Sequence, residues 1–162
     1  MLLRAFTLAD FAYFEAFFAD PDASRHVGGP IGREDSWRRM LAGVGLWPLT
    51  GLGTWAVERQ SDNATIGHIG FFDFIRDCTP PIAGEAEMGW ILAPAAHGQG
   101  LAGEACRAAL AWFDAQFGQQ TIHALISPGN EPSMKLAERL GFRRQADGIY
   151  RDHSQTMWAR RV

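Results

Sequence analysis

The stretch from Glu85 to Phe117 constrains this chain most. An apolar segment ends at Pro94, glycines follow at Gly98, Gly100 and Gly103, and a long helical pattern begins. Leu101, Ala105, Ala108, Ala109, Trp112 and Phe113 recur at helical spacing, which predicts a helix over about Gln99 to Phe117 after a strand from about Glu85 to Leu92. A helix opened by such a loop leaves its first backbone N–H groups without intrahelical partners. Glycines let an anion approach that backbone, and the helix dipole adds the equivalent of roughly half a positive charge. A pyrophosphate can sit there without lysine or a metal ion. A tight turn for close helix–sheet packing is the other reading of the same residues.

Gly98-Gln99-Gly100-Leu101-Ala102-Gly103 also spells G-x-G-x-x-G, the dinucleotide fingerprint. Three observations oppose that reading. The strand stops at Pro94 and not at the first glycine. No Asp or Glu waits near His123 to Ser127 for a ribose hydroxyl. Too little chain remains to complete a doubly wound sheet.

Elsewhere, Leu2 to Phe6 reads as a first strand, and Thr7 with Asp10 as a capping-box-like start for a helix through Phe11, Phe14, Phe17 and Phe18. A second helix is expected over Glu34 to Ala42, with Trp37, Met40 and Leu41 on its buried side. Strands follow over Thr54 to Arg59 and Thr65 to Phe74. After the glycine-led helix come a strand from Thr121 to Ile126, a helix capped by Asn130 running to Leu140, and Gly141 just past its end. Phe142 to Ala146 and Gln155 to Arg160 close the pattern. The expected architecture is α/β (α+β): one domain over residues 1–162, with a mixed, mostly antiparallel sheet of about seven strands flanked by about four helices.

Composition removes several function classes. Fifteen basic and eighteen acidic residues give a net charge of −3, which argues against a phosphate-tracking nucleic-acid binder. No apolar run approaches the roughly 18–20 residues of a membrane span, and acidic residues arrive too early for a secretory leader. Cys78 and Cys106 form no CxxC, the histidines lack metal-ligand spacing, and no serine stands in G-x-S-x-G. The expectation is a cytoplasmic protein without a metal, a nucleic-acid partner or a membrane.

Glu87-Met88-Gly89-Trp90-Ile91-Leu92-Ala93-Pro94, followed by His97-Gly98-Gln99-Gly100-Leu101-Ala102 and Glu104-Ala105, resembles the GNAT acyltransferases. That superfamily's [QR]-x-x-G-x-[GA] loop is matched by His97-x-x-Gly100-x-Ala102, with histidine at the first position. Asn130-Glu131-Pro132-Ser133 with Glu138-Arg139-Leu140-Gly141-Phe142 is similar to its second signature. Leu3-Arg4-Ala5-Phe6-Thr7, Asp20-Pro21 and Trp55-Ala56-Val57 resemble the RimJ/RimL-like branch. On that likeness the chain is expected to begin just inside the family's usual first strand.

The resemblance implies a GNAT-like fold and transfer of acetyl from acetyl-CoA to a primary amine, by direct attack in a ternary complex. The acceptor would be a protein N-terminal α-amine or a small amine, and the protein a monomer or homodimer. Main-chain groups of Ile91 and Leu92 would bond pantetheine beside an opened strand pair. His97, Gly98, Gln99, Gly100, Leu101 and Ala102 would hold the pyrophosphate, and Asn130 would contact the pantetheine arm. Glu87 is the candidate base, with Glu85 on the same strand face as its rival. Ser133 is the candidate donor to the leaving thiolate, because Ala137 stands where many members carry a tyrosine. A free α-amine has a pKa of about 8 and a lysine about 10.4, so deprotonating lysine near neutrality costs roughly 3–4 kcal/mol more. A carboxylate base therefore suits an α-amine or another low-pKa amine. A non-catalytic acyl-CoA-binding module on the same fold is the alternative. Acceptor specificity is expected in loops Val27 to Arg33, Gly43 to Gly53 and Arg76 to Gly84.

Overall fold

In the computed structural model, which describes residues 1–82 and 84–161, eight strands form one sheet in the order β1-β2-β3-β5-β6-β8-β7-β4. The strands are β1 (Leu2–Arg4), β2 (Gly53–Arg59), β3 (Ala64–Phe72), β4 (Cys78–Thr79), β5 (Ala86–Leu92), β6 (Ile122–Ile126), β7 (Arg143–Tyr150) and β8 (His153–Arg160). Five helices accompany them: α1 (Phe11–Ala19), α2 (Pro21–Ser24), α3 (Arg33–Thr50), α4 (Leu101–Phe117) and α5 (Glu131–Arg139). Against the expected seven and four, the additions are β4, two residues paired with β7, and α2, one turn capped by the Asp20 carboxylate.

Every strand pair is antiparallel except β5–β6, which α4 connects. Alternation assigns the two faces. Ile69, Phe71, Met88 and Leu92 pack with Ala105, Ala109 and Phe113 of α4 in the larger core cluster. His68 and Ile91 lie on the opposite face under α1 and α3, where Phe14, Phe17, Phe18 and Met40 form a second cluster. Alanines and Cys106 on the inner side of α4 let it lie close to the sheet. Its outer edge is tied to β8 by a bidentate pair of Arg160 with Asp114 at 2.9 and 2.8 Å.

The helix expected to end at Ala42 runs on to Thr50, through Gly43, Gly45 and Pro48. Gly43 faces β2 so closely that a Cβ there would collide with Thr54 Oγ1. This glycine therefore serves close approach and does not break the helix. Trp47, one turn on, donates from Nε1 to the Thr54 carbonyl at 3.2 Å and meets Trp55 edge-on. The expected loop from Gly43 to Gly53 is thus mostly helix. Leu41 is exposed rather than buried, whereas Met40 is buried. Among the described residues no helix is long and apolar enough to cross a membrane.

Candidate active site

The parallel pair β5–β6 is where the sheet opens. Its ladder comprises only Ala86↔Ile122 and Glu87↔His123. Beyond it, Met88 to Leu92 pair with β3 alone, and Ala124 to Ile126 with β8 alone. A wedge is left between the carboxyl ends of two parallel strands, the usual place for a ligand in a sheet with crossover helices. The chain turns from β5 into the start of α4 and from β6 into the start of α5, so two helix N-termini border its mouth.

The register decides which main-chain groups face the wedge. Ala93 N–H donates to the Ile66 carbonyl at 2.8 Å. Antiparallel alternation then turns Ile91 toward β3 and leaves Trp90 and Leu92 presenting N–H and C=O to the β6 side. Of the two positions named from sequence, Leu92 faces the gap and Ile91 does not; Trp90 stands there instead. A shift of one residue would exchange the sets, and only the tertiary pairing fixes it.

The glycine loop is built by its own side chains. His97 Nε2 donates to the Leu92 carbonyl at 2.9 Å, and Gln99 Nε2 to the Ala95 carbonyl at 2.8 Å. Both side chains thus point back into the turn, which accounts for histidine at the first position: one ring N–H closes the loop against its own strand. Gly98 and Gly100 have φ of +75° and +76°, left-handed values that strain any residue with a Cβ. Gly100 is the N-cap of α4 and brings no capping side chain. The first helical bond there is Glu104 N–H to Gly100 C=O, so the N–H groups of Leu101, Ala102 and Gly103 precede the helical ladder.

At the start of α5, Asn130 Oδ1 accepts from Ser133 N–H at 3.4 Å. Ser133 Oγ in turn accepts from Trp90 Nε1, also at 3.4 Å. Indole N–H only donates, so the Ser133 hydroxyl proton remains free for another acceptor. Trp90 therefore spans from β5 to α5 and aims the serine, a role its place among apolar strand residues did not signal. Ala137, one turn further along α5, is fully buried.

Glu87 lies on the α1/α3 face and is buried. Its two oxygens are held by Arg76: Nη2 at 3.1 Å to Oε1, and Nε to Oε2. Burial pushes the carboxyl up from its ordinary pKa, with Arg76 pulling against that shift. The Arg76 guanidinium lies 4.6 Å from the Tyr150 ring and within 6 Å of those of Phe72 and Phe74. Glu85, the rival base, is bonded to His123 Nε2 and is more exposed than Glu87. Arg76 was not singled out from sequence, because it reaches Glu87 from a loop with no periodic signal.

Residues 1–143 match the family model described as an acetyltransferase (GNAT) domain. The chain belongs to the GNAT acetyltransferase family. A putative GNAT-family acetyltransferase from Bordetella pertussis is 30% identical with a TM-score of 0.84, covering 98% of this chain and 93% of that one. An uncharacterized N-acetyltransferase, YnaD, of Bacillus subtilis is 24% identical over 146 residues, 90% of this chain and 80% of that protein. A phosphinothricin acetyltransferase from Sinorhizobium meliloti, solved in complex with AcCoA, shares the fold at a TM-score of 0.73 and 18% identity, covering 99% of this chain and 88% of that one. The GNAT fold expected from the two sequence signatures is the fold observed. Within it this acetyltransferase places its glycine loop and the Asn130 cap in the connections that follow β5 and β6, the strand pair that opens.

Proposed function

We propose that this GNAT acetyltransferase is a single-domain N-acetyltransferase. It moves the acetyl group of acetyl-CoA to a primary amine, a protein N-terminal α-amine or a small amine, by direct attack in a ternary complex. The observation carrying this reading is the β5–β6 wedge with two helix N-termini at its mouth, one of them a glycine loop with uncapped N–H groups. His97 to Ala102 seat the pyrophosphate on those N–H groups, and the main chain of Leu92, with Trp90, bonds the pantetheine arm, which also passes Asn130. The likeness of Leu3 to Thr7, Asp20-Pro21 and Trp55-Ala56-Val57 to the RimJ/RimL-like branch supports an α-amine as acceptor.

Glu87 takes the proton from the ammonium form of the acceptor through a water. Ser133, its acceptor side occupied by Trp90, donates toward the leaving thiolate. The test is thiol release from acetyl-CoA across N-terminal peptides, polyamines and aminoglycosides. Glu87→Gln should lower kcat by about 10²-fold or more, as expected for loss of a general base, with CoA affinity within about twofold of wild type by titration. An unchanged rate removes Glu87 from this role. Saturation of Glu87 by Arg76 favours a second reading, a non-catalytic acyl-CoA-binding module; CoA binding without turnover on any amine would select it.

A further inference from the structure

Two arginines from separate parts of the chain lie over Tyr150, and a third, Arg39, is within range of their charges. Arg76 lies 4.6 Å and Arg151 5.3 Å from the Tyr150 ring centroid. Arg39 of α3 donates to the Val27 carbonyl at 2.9 Å and lies 4.5 Å over Phe18. Loss of solvation, and then the nearby charges of Arg151 and Arg76, lower Arg39 from the ordinary arginine value, with Tyr150 and Asp35 acting the other way. Only Arg76 has a carboxylate partner, Glu87; among the described residues neither Arg39 nor Arg151 is in an ion pair. Of the nearby acids, Asp77, just before the β4 residue that pairs with Tyr150, and Asp152 make no ion pair among the described residues, while three others are engaged elsewhere. Asp35 pairs with Arg38, Asp73 caps the N–H groups of Ile75 and Gly84, and Glu85 meets His123. Asp152 lies beside Arg151 and is exposed.

Arg151 is also held in an unfavourable conformation. Tyr150 pairs with His153, so Arg151 and Asp152 form a two-residue hairpin turn with φ of +49° and +62°. Such turns favour Asn-Gly, since a side chain at positive φ is strained.

We propose that the acceptor amine carries a carboxylate several bonds away, which Arg39 and Arg151 hold beside Tyr150 while the amine faces Glu87. The planar guanidinium fork suits a carboxylate, and two exposed guanidinium groups without an acidic partner among the described residues suit it better. Because the Arg76 guanidinium lies between Glu87 and Tyr150, the anion must stand off from the amine by at least that width. An acidic amino acid, or a peptide with an acidic residue at its amino end, has this spacing. The inference rests on the amine-transfer reading above.

Isosteric pairs test it: glutamate against glutamine, and short amidated peptides beginning with Glu against Gln, assayed by thiol release. The free and peptide arms separate the two sources. The acidic member should be preferred at least tenfold in kcat/KM, mainly through KM, and the preference should fall below threefold in Arg39→Gln and in Arg151→Asn. Arg151→Asn stays compatible with the turn should Arg39→Gln fold poorly. Equal use of both members, or a preference intact in both variants, overturns the proposal. Titration of N-acetylglutamate and N-acetylglutamine into the CoA-loaded protein reads the same preference without turnover, and binding of neither also overturns it. Acid-selective binding without thiol release on any amine refutes the transfer reading instead; transfer without acid preference refutes only this one.

Discussion

Removing the Arg76 side chain should strand the Glu87 carboxylate. The Glu87 side chain is only 7% exposed and that of Arg76 17%, so water replaces little of what the guanidinium provides. Stranding one member of a buried ion pair costs about 3–5 kcal/mol. Protonation limits the loss. Neutralising a carboxyl of ordinary pKa 4.5 costs about 3 kcal/mol at pH 7 and about 0.7 at pH 5, at roughly 1.4 kcal/mol per pH unit. Without Arg76, burial drives the folded-state pKa of Glu87 further above its unfolded value. The carboxyl's contribution is then intact below the unfolded pKa and is lost as pH rises toward the folded one. Relative to wild type, Arg76→Ala should lose up to about 3 kcal/mol through Glu87 at pH 7 and under about 1 at pH 5. A pH-independent loss of about 0.5–2 kcal/mol from the Tyr150 contact adds to this. Urea unfolding of both proteins at pH 5, 6, 7 and 8 measures the difference. Arg76→Ala combined with Glu87→Gln should retain only the pH-independent part. A difference equal at pH 5 and pH 7 would refute the reasoning, because it would mean that water reaches Glu87 once Arg76 is gone.

Three further outcomes follow from other sites. His68 is buried against Phe14 with Nδ1 unpartnered, and burial pushes its pKa down to about 3. The unfolded chain therefore takes up a proton near pH 6.5 that the folded one refuses, so stability falls as pH drops below 6.5 by up to about 1.4 kcal/mol per unit. His68→Leu should flatten that slope in urea titrations between pH 6.5 and 4. Gly100→Ala meets open space but a left-handed φ, and should lose about 1–2 kcal/mol of stability. It should also weaken CoA binding in calorimetric titration; unchanged affinity would move the pyrophosphate away from this loop. Arg151→Asn should raise stability by about 0.5–1 kcal/mol, visible as a higher Tm, and a lower Tm would show that the turn is not strained.

What could be read in advance was short-range. Thr7 and Asp10 form the expected capping box, although it opens a single 3-10 turn at Leu8–Asp10 before α1. Arg4 and Thr65 then join Asp10 from other elements, and burial is outweighed by these bonds, so the carboxyl is held below the usual range. Asn130 caps α5, and Gly141 ends it at φ +88°. α3 runs past the expected Ala42 because Gly43 serves close approach to β2, a strand whose pairing is set from elsewhere in the chain. Two-residue β4 carries no pattern of its own and exists because β7 pairs with it.

By itself the sequence determined the glycine loop, the helix caps and the alternation that built two faces, because each depends on backbone conformation within a few residues. It thereby determined the family. Tertiary structure alone decided that Leu92 and Trp90, not Ile91, face the wedge, since sheet register depends on the partner strand. It alone set Arg76 on Glu87 and brought Arg76 and Arg151 over Tyr150, with Arg39 within range of their charges, since ion pairing and charge repulsion act through space between segments that share no local pattern.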